Sequence, residues 1–231
     1  MPAYDAPAVR PAADLISPQA HPAPAAAGLA LSQEELGRGH MLAAGETLYH
    51  QGDSAESAYL VTSGLLSLKV GARVGRERLV DLAGPGDVVG ALSAEQAAYL
   101  DTAAALGPGT RVSALVAGSG AAQELREQAA AQRLERLTQQ LEEVDSPVAA
   151  RVARAFARLA ERFGQEVADG MVRLTLPLTH DTLAGLVGAA RETTSAAVAE
   201  LRRRGLIAGT RGRYLVLPRA LLDFAHEASA N

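Results

Sequence analysis

Residues 178–207, LTHDTLAGLVGAARETTSAAVAELRRRGLI, constrain the fold of this chain more tightly than any other stretch. Thr179 is placed to N-cap a first helix, its hydroxyl accepting a free first-turn N–H. Leu183, Leu186 and Val187 follow at helical spacing and give that helix one apolar side. Gly188 interrupts, and a second helix is predicted from Arg191 to Arg204, with Gly205 as its stop. In this second helix Thr194, Val198 and Leu201 share one side, while Arg191, Glu192, Ser195 and Ala196 point elsewhere. A helix–turn–helix needs this arrangement: the first helix packs, and the second offers its N-terminal outer face to a major groove. The competing reading of the pattern is an ordinary helical hairpin with solvated charges.

The next residues favour the first reading. Leu206-Ile207-Ala208, a Thr210-Arg211-Gly212 turn signal and Arg213 to Leu217 predict two short strands around a glycine turn. The helix pair therefore carries a wing, with Arg211 and Arg213 at its tip. The run Gly188-Ala189-Ala190-Arg191-Glu192-Thr193-Thr194-Ser195 resembles the recognition motif of the Crp/Fnr family of bacterial transcription regulators. The resemblance implies a C-terminal winged helix–turn–helix that binds double-stranded DNA. Arg191, Glu192, Ser195 and Ala196 would then read bases, and Thr179, His180, Thr193, Arg211 and Arg213 would meet phosphates. Arginine can donate two hydrogen bonds to guanine O6 and N7, and glutamate can accept one from cytosine N4. Two departures stand out. The family's cap serine is Ala190, and the second groove-facing arginine of its cyclic-AMP-receptor-like members is Ala196.

Charge is distributed to match. Residues 1–146 hold 10 Lys and Arg against 18 Asp and Glu, whereas residues 147–231 hold 12 against 8. An acidic chain thus conceals a basic C-terminal third, as expected if only that part meets nucleic acid. No cysteine is present, which excludes disulfides, thiolate zinc sites and cysteine-ligated clusters. Neither a signal peptide nor a membrane span is read, and a cytoplasmic location is expected.

Residues 1–30 are dominated by Ala and Pro and lack the large apolar side chains that would offset the entropy of ordering. They are read as a flexible extension, and residues 31–38 as one or two helical turns leading into residues 31–120. In that segment Thr47–Tyr49, Ala58–Val61, Leu65–Val70 and Arg78–Leu82 alternate with glycine turn signals, which predicts a sandwich or barrel of short strands. Gly45-Glu46, Gly52-Asp53, Tyr59 to Gly64, Gly75 to Arg78 and Pro85 to Gly90 follow the order of the cyclic-nucleotide-binding β-roll of the same family. Nucleotide-binding members carry Gly-Glu-Leu and then an Arg-Ser or Arg-Thr pair, for the ribose hydroxyl and the cyclic phosphate. Here the first motif is Gly90-Ala91-Leu92, and ungapped the arginine falls on Asp101, followed by Thr102. Alanine cannot accept the ribose hydrogen bond, and an aspartate facing a phosphate repels it. The resemblance therefore implies a degenerate effector pocket and independence of cyclic AMP. A shifted segment that brings Arg111 or another arginine into the phosphate role is the alternative.

Residues 121–145 predict one long helix in which Ala130, Leu134, Leu137, Leu141 and Val144 step by four, three, four and three, a coiled-coil seam. The resemblance makes this the dimerisation helix between the roll and residues 146–231. Asp145-Ser146-Pro147 supplies a cap and a proline at the first helical position, opening a helix that buries Val148, Val152, Phe156, Leu159 and Phe163. Met171 to Leu176 alternates like a strand. The five histidines are scattered and form no ligand-spaced pair, so no metal or other cofactor is implied. The expected architecture is α+β: an N-terminal double-stranded, jelly-roll-like β-roll, a long dimerisation helix and a C-terminal winged helix–turn–helix. The expected function is that of a homodimeric, sequence-specific transcription regulator on palindromic promoter sites, with RNA polymerase as a further partner. Its effector stays open. A metal or small-molecule enzyme on the roll, or an interaction module that has lost DNA binding, are the alternatives.

Overall fold

Short β-branched and leucine-rich runs between glycine turns form eight strands in the N-terminal part of the computed structural model, which describes residues 35–71, 77–93, 95–210 and 212–230. They are β1 (Leu36–Leu42), β2 (Thr47–Tyr49), β3 (Ala58–Ser63), β4 (Leu66–Gly71), β5 (Glu77–Ala83), β6 (Val88–Gly90), β7 (Thr102–Ala105) and β8 (Thr110–Leu115). Two antiparallel sheets result, ordered β1-β8-β3-β6 and β2-β7-β4-β5. Between them lie Leu42, Val61, Leu66, Leu68, Val89 and Val112, all buried. The period-2 geometry of a strand is visible in β3: Tyr59 and Val61 belong to the roll interior, whereas Ala58 and Leu60 pack with the following helix. One expectation is corrected here. Residues 36–38 are not helical but open β1, which pairs antiparallel with β8 from Leu36 to Leu42. Two glycines in LGRGHML weaken a helix, and the free edge of β8 offers the backbone a ladder instead. The extension expected over residues 1–30 lies outside the described residues.

Helix α1 (Gly120–Glu142) is N-capped by Ser119, whose hydroxyl accepts from the Ala122 N–H at 3.3 Å. Its first turns bury Ala122 and Leu125 against Ala58, Leu60, Val88 and Leu115. Farther along, Arg133 and Arg136 share a face that turns back to the roll. The expected seam lies elsewhere on the helix. Leu134 and Leu141 are 67% and 72% exposed, while Ala130 and Leu137 are half-buried. Val144, the last seam position, lies beyond the helix end in the following turn.

Helix α2 (Val148–Phe163) buries Val152, Phe156, Leu159 and Phe163 as expected, while Val148 at its start is half-buried. Pro147 precedes this helix instead of opening it: its φ of −51° suits either position, but its ψ of 143° makes it the N-cap. There follow β9 (Gln165–Ala168), β10 (Met171–Leu174), α3 (His180–Val187), α4 (Arg191–Arg203), β11 (Ile207–Thr210), β12 (Arg213–Val216) and α5 (Pro218–Ser229). The four strands form one sheet, ordered β11-β12-β10-β9. Phe156, Leu183, Val198, Leu201, Tyr214 and Leu221 share its core, which continues into Leu65, Leu79 and Leu82 of the roll.

That continuity positions the helix–turn–helix against the roll. A Cβ at Gly185 of α3 would come within 2.9 Å of the Leu79 Cβ, so this close approach requires glycine. Beside it, Asp81 is 3% exposed and accepts from Arg136 Nε at 2.9 Å and from Arg162 at 3.2 Å. Arg162 also donates to the Leu82 carbonyl at 2.8 Å and to Asp87 at 2.9 Å. A carboxylate this deep persists only when paired, so one aspartate joins the roll, α1 and α2.

Candidate nucleic-acid interface

The first helix of the pair begins where its cap chemistry dictates. Thr179 Oγ1 accepts from the Thr182 N–H at 3.0 Å, and Gly188 closes α3 in the left-handed conformation at φ 60°. Helix α4 starts without a side-chain cap, because its N-cap is Ala190. Its buried side holds Thr194, Ala197, Val198 and Leu201, and the Thr194 hydroxyl donates back to the Ala190 carbonyl at 3.0 Å. The first three side chains of the helix therefore face out. Arg191, Glu192, Thr193 and Ala196 are exposed, and Ser195 is half-buried.

Two contacts tie the helices together at this face. His180 Nδ1 and Ser195 Oγ lie 2.7 Å apart, so a residue expected at phosphate and one expected at bases share a hydrogen bond. Arg191 Nε stands 3.6 Å from Asp181 Oδ1, with side chains 64% and 69% exposed. Such a solvated pair contributes about 0–1 kcal/mol and leaves the guanidinium able to exchange partners. At the far end Glu200 binds Arg203 and, at 2.6 Å, Arg204. The Arg204 hydrogen bond holds the Glu200 carboxyl below its ordinary range. Arg202 donates to the Gly209 carbonyl at 3.1 Å, tying α4 to the wing. Arg213 is exposed on the wing. Arg211 lies outside the described residues.

Among the residues expected to form the effector pocket, Ala91 and Asp101 are buried in the roll. Gly90 ends β6 at φ 96°, Ala91 is buried and Leu92 is half-buried. Thr102 Oγ1 accepts from the Gln51 N–H at 3.0 Å. Asp101, 1% exposed, accepts from the Tyr49 hydroxyl at 3.0 Å and forms an ion pair with Arg133 of α1. Tyr49 stacks between Tyr99, at 4.0 Å between centroids, and Tyr59, at 6.2 Å. Burial, with Asp101 adding, pushes the Tyr49 hydroxyl pKa far up, and burial raises that of Tyr99. Both remain neutral hydrogen-bond donors at any physiological pH.

Residues 150–224 match the profile of the Crp-like helix-turn-helix domain, and residues 40–127 match the cyclic nucleotide-binding domain. A CRP-like cAMP-activated global transcriptional regulator of Mycobacterium tuberculosis is 33% identical over 179 residues, spanning 71% of this chain and 76% of that protein. The chain belongs to the Crp/Fnr family of transcription regulators. Solved structures agree on the fold of this regulator. FixK2 of Bradyrhizobium japonicum superposes with a TM-score of 0.69 at 21% identity, over 84% of this chain and 98% of that one. The Crp/Fnr regulator TTHA1359 of Thermus thermophilus gives 0.67 at 25%, over 83% and 100%. These matches are to transcription regulators rather than to enzymes, and the winged helix–turn–helix is the DNA-binding part.

Among the features of this Crp/Fnr protein that sequence reasoning missed are a helix, a strand and the buried ion pairs. Helix α5 buries Leu221, Phe224 and Ala225, and the Leu217-Pro218 start with apolar residues at helical spacing was a usable signal. Strand β9 pairs with β10 although its four residues are exposed, leaving no hydrophobic trace to read. The arginines that bind Asp101 and Asp81 carried no signal, because their partners stand 32, 55 and 81 residues away.

Proposed function

We propose that this Crp/Fnr regulator acts as a homodimer on palindromic promoter DNA and does so without cyclic AMP. The buried Asp101–Arg133 pair beside the stacked tyrosines carries the reading. Where a cyclic phosphate would need a cation, Asp101 presents a buried carboxylate already matched to Arg133, and the stacked tyrosines occupy the adjoining space. Arg191 and Glu192 are the base readers of the proposal, with Ala196 beside them and Ser195 held through His180. Thr179, His180, Thr193, Arg211 and Arg213 meet phosphates. RNA polymerase is the further partner at the promoter, and the cytoplasm is the site of action. Titrating cyclic AMP into the protein by calorimetry is expected to give no saturable heat in the micromolar range. DNA affinity should be the same with and without the nucleotide. A one-per-subunit isotherm overturns the reading.

Dimerisation rests on the stripe of Ala130, Leu134, Leu137 and Leu141, with Val144 just past the helix end. Leu134 and Leu141, exposed in the protomer at heptad spacing, would bury their faces against a second copy, and a dimer is typical of the family. At about 1.5 Å per residue, α1 is a rod of roughly 35 Å. Two such helices would hold the recognition helices about one DNA turn, ~34 Å, apart. The double variant Leu134→Lys, Leu141→Lys changes side chains that are exposed in the protomer, so the fold should survive. It is expected to be monomeric by light scattering and to lose most affinity for a palindromic site. A dimeric double variant would place the interface elsewhere.

A further inference from the structure

A cavity of about 710 Å³ opens between the roll and the C-terminal part, away from both α4 and the tyrosine-filled interior. The roll contributes the Gly64-Leu65 and Gly107-Pro108 turns, and the C-terminal part contributes Phe163, Leu176 and Pro177. A Cβ at Gly107 would stand 3.4 Å from the Pro177 ring, so a longer side chain there would crowd the cavity. The volume falls within the ~300–1,000 Å³ of small-molecule sites, which are likewise mostly apolar with few polar groups.

Two charged side chains line it, and they differ in availability. Arg162 is spent: its guanidinium donates to Asp81, Asp87 and the Leu82 carbonyl and lies 4.6 Å from the Phe163 ring centroid. Glu161 is exposed and makes no ion pair among the described residues. An anionic ligand would therefore meet a carboxylate with no free cation among the described lining residues to offset it. A ligand with an N–H or O–H group would find an acceptor.

We propose that this cavity is an effector site for a neutral or weakly basic aromatic small molecule, bound by the apolar walls with its donor on Glu161. Because the walls come from both parts of the chain, an occupant stabilises this arrangement of roll and reader by its own binding free energy. DNA affinity then changes on binding, since a ligand that distinguishes arrangements shifts their populations.

The probe is N-phenyl-1-naphthylamine, a neutral aromatic amine that fluoresces in apolar surroundings, titrated into the full-length protein. The expected result is saturable binding of one probe per chain. Binding should weaken about tenfold or more in both Thr175→Trp and Gly107→Leu, which crowd the cavity from opposite sides. Circular dichroism and thermal melts identify the variant that keeps the wild-type fold, and that variant decides. The sulfonated analogue, 8-anilinonaphthalene-1-sulfonate, should bind more weakly than the neutral probe, and Glu161→Gln should narrow the gap. Absence of saturable binding overturns the proposal, as does wild-type affinity in a folded occluded variant, or a DNA affinity unmoved by saturating probe. The binding arm uses neither DNA nor cyclic nucleotide, so its failure leaves DNA reading and nucleotide independence untouched.

Discussion

Arg133→Ala is expected to destabilise the protein by about 3–5 kcal/mol, the usual result of stripping one partner from a buried ion pair. Asp101 is 1% exposed and, among the described residues, keeps only the Tyr49 hydroxyl once the guanidinium is gone. One hydroxyl donor does not replace a cation for a carboxylate removed from water. The effect should appear as a lower urea midpoint with little change in slope. The control is Asp101→Asn, which removes the charge but keeps an oxygen for Tyr49 to donate to. In the native background it should be destabilising, because Arg133 loses its counter-charge. Introduced beside Arg133→Ala, it should restore stability. Equal effects of Asp101→Asn in both backgrounds would mean that the two residues are not coupled, and the account of a charge-matched roll interior would fail. The pair also joins the residue before β7 to α1, so the same variants should loosen the helix that carries the proposed dimer seam.

Selected-site sequencing should separate the two arginines of the DNA-binding part. Arg191→Ala is expected to erase preference at one base pair of each half-site, about 1–3 kcal/mol per bidentate contact and thus several kcal/mol per palindrome. Its present partner Asp181 does not oppose this role, since both side chains are largely exposed at 3.6 Å separation. Arg213→Ala should instead weaken all sequences about equally and reduce the salt dependence of binding, the signature of a phosphate contact. Ala196 lies exposed on the same side of α4 as Arg191 and Glu192 and carries no polar group. The base pair opposite it should be unselective or favour a thymine methyl, and Ala196→Arg should introduce guanine preference there. Strong guanine selection opposite Ala196 in the native protein would sink this reading of the helix.

The sequence alone determined whatever is written in neighbouring residues. Thr179 and Gly188 bracket α3 because a hydroxyl cap and a positive φ are local demands. Thr194, Val198 and Leu201 marked the inner side of α4, and so its outer side, by a 3.6-residue period. The substitutions at Ala91, Ala190, Ala196 and Asp101 were visible as letters that depart from the family motifs. Strand β7, Thr102–Ala105, was not visible, because three alanines signal no sheet; the ladders of β2 and β4 on either side of it make the strand. In the same way Leu36–Leu42 became strand β1 through the open edge of β8. Tertiary structure alone decided what Asp101 does. Read in line it is a repulsive residue in a failed pocket, whereas in space it is the internal partner of Arg133. Tertiary structure also brought Asp81, Arg136 and Arg162 together to seat the helix–turn–helix on the roll. The physical reason is range: caps and amphipathic periods act within a few residues, but buried charge is matched by whichever opposite charge the fold delivers.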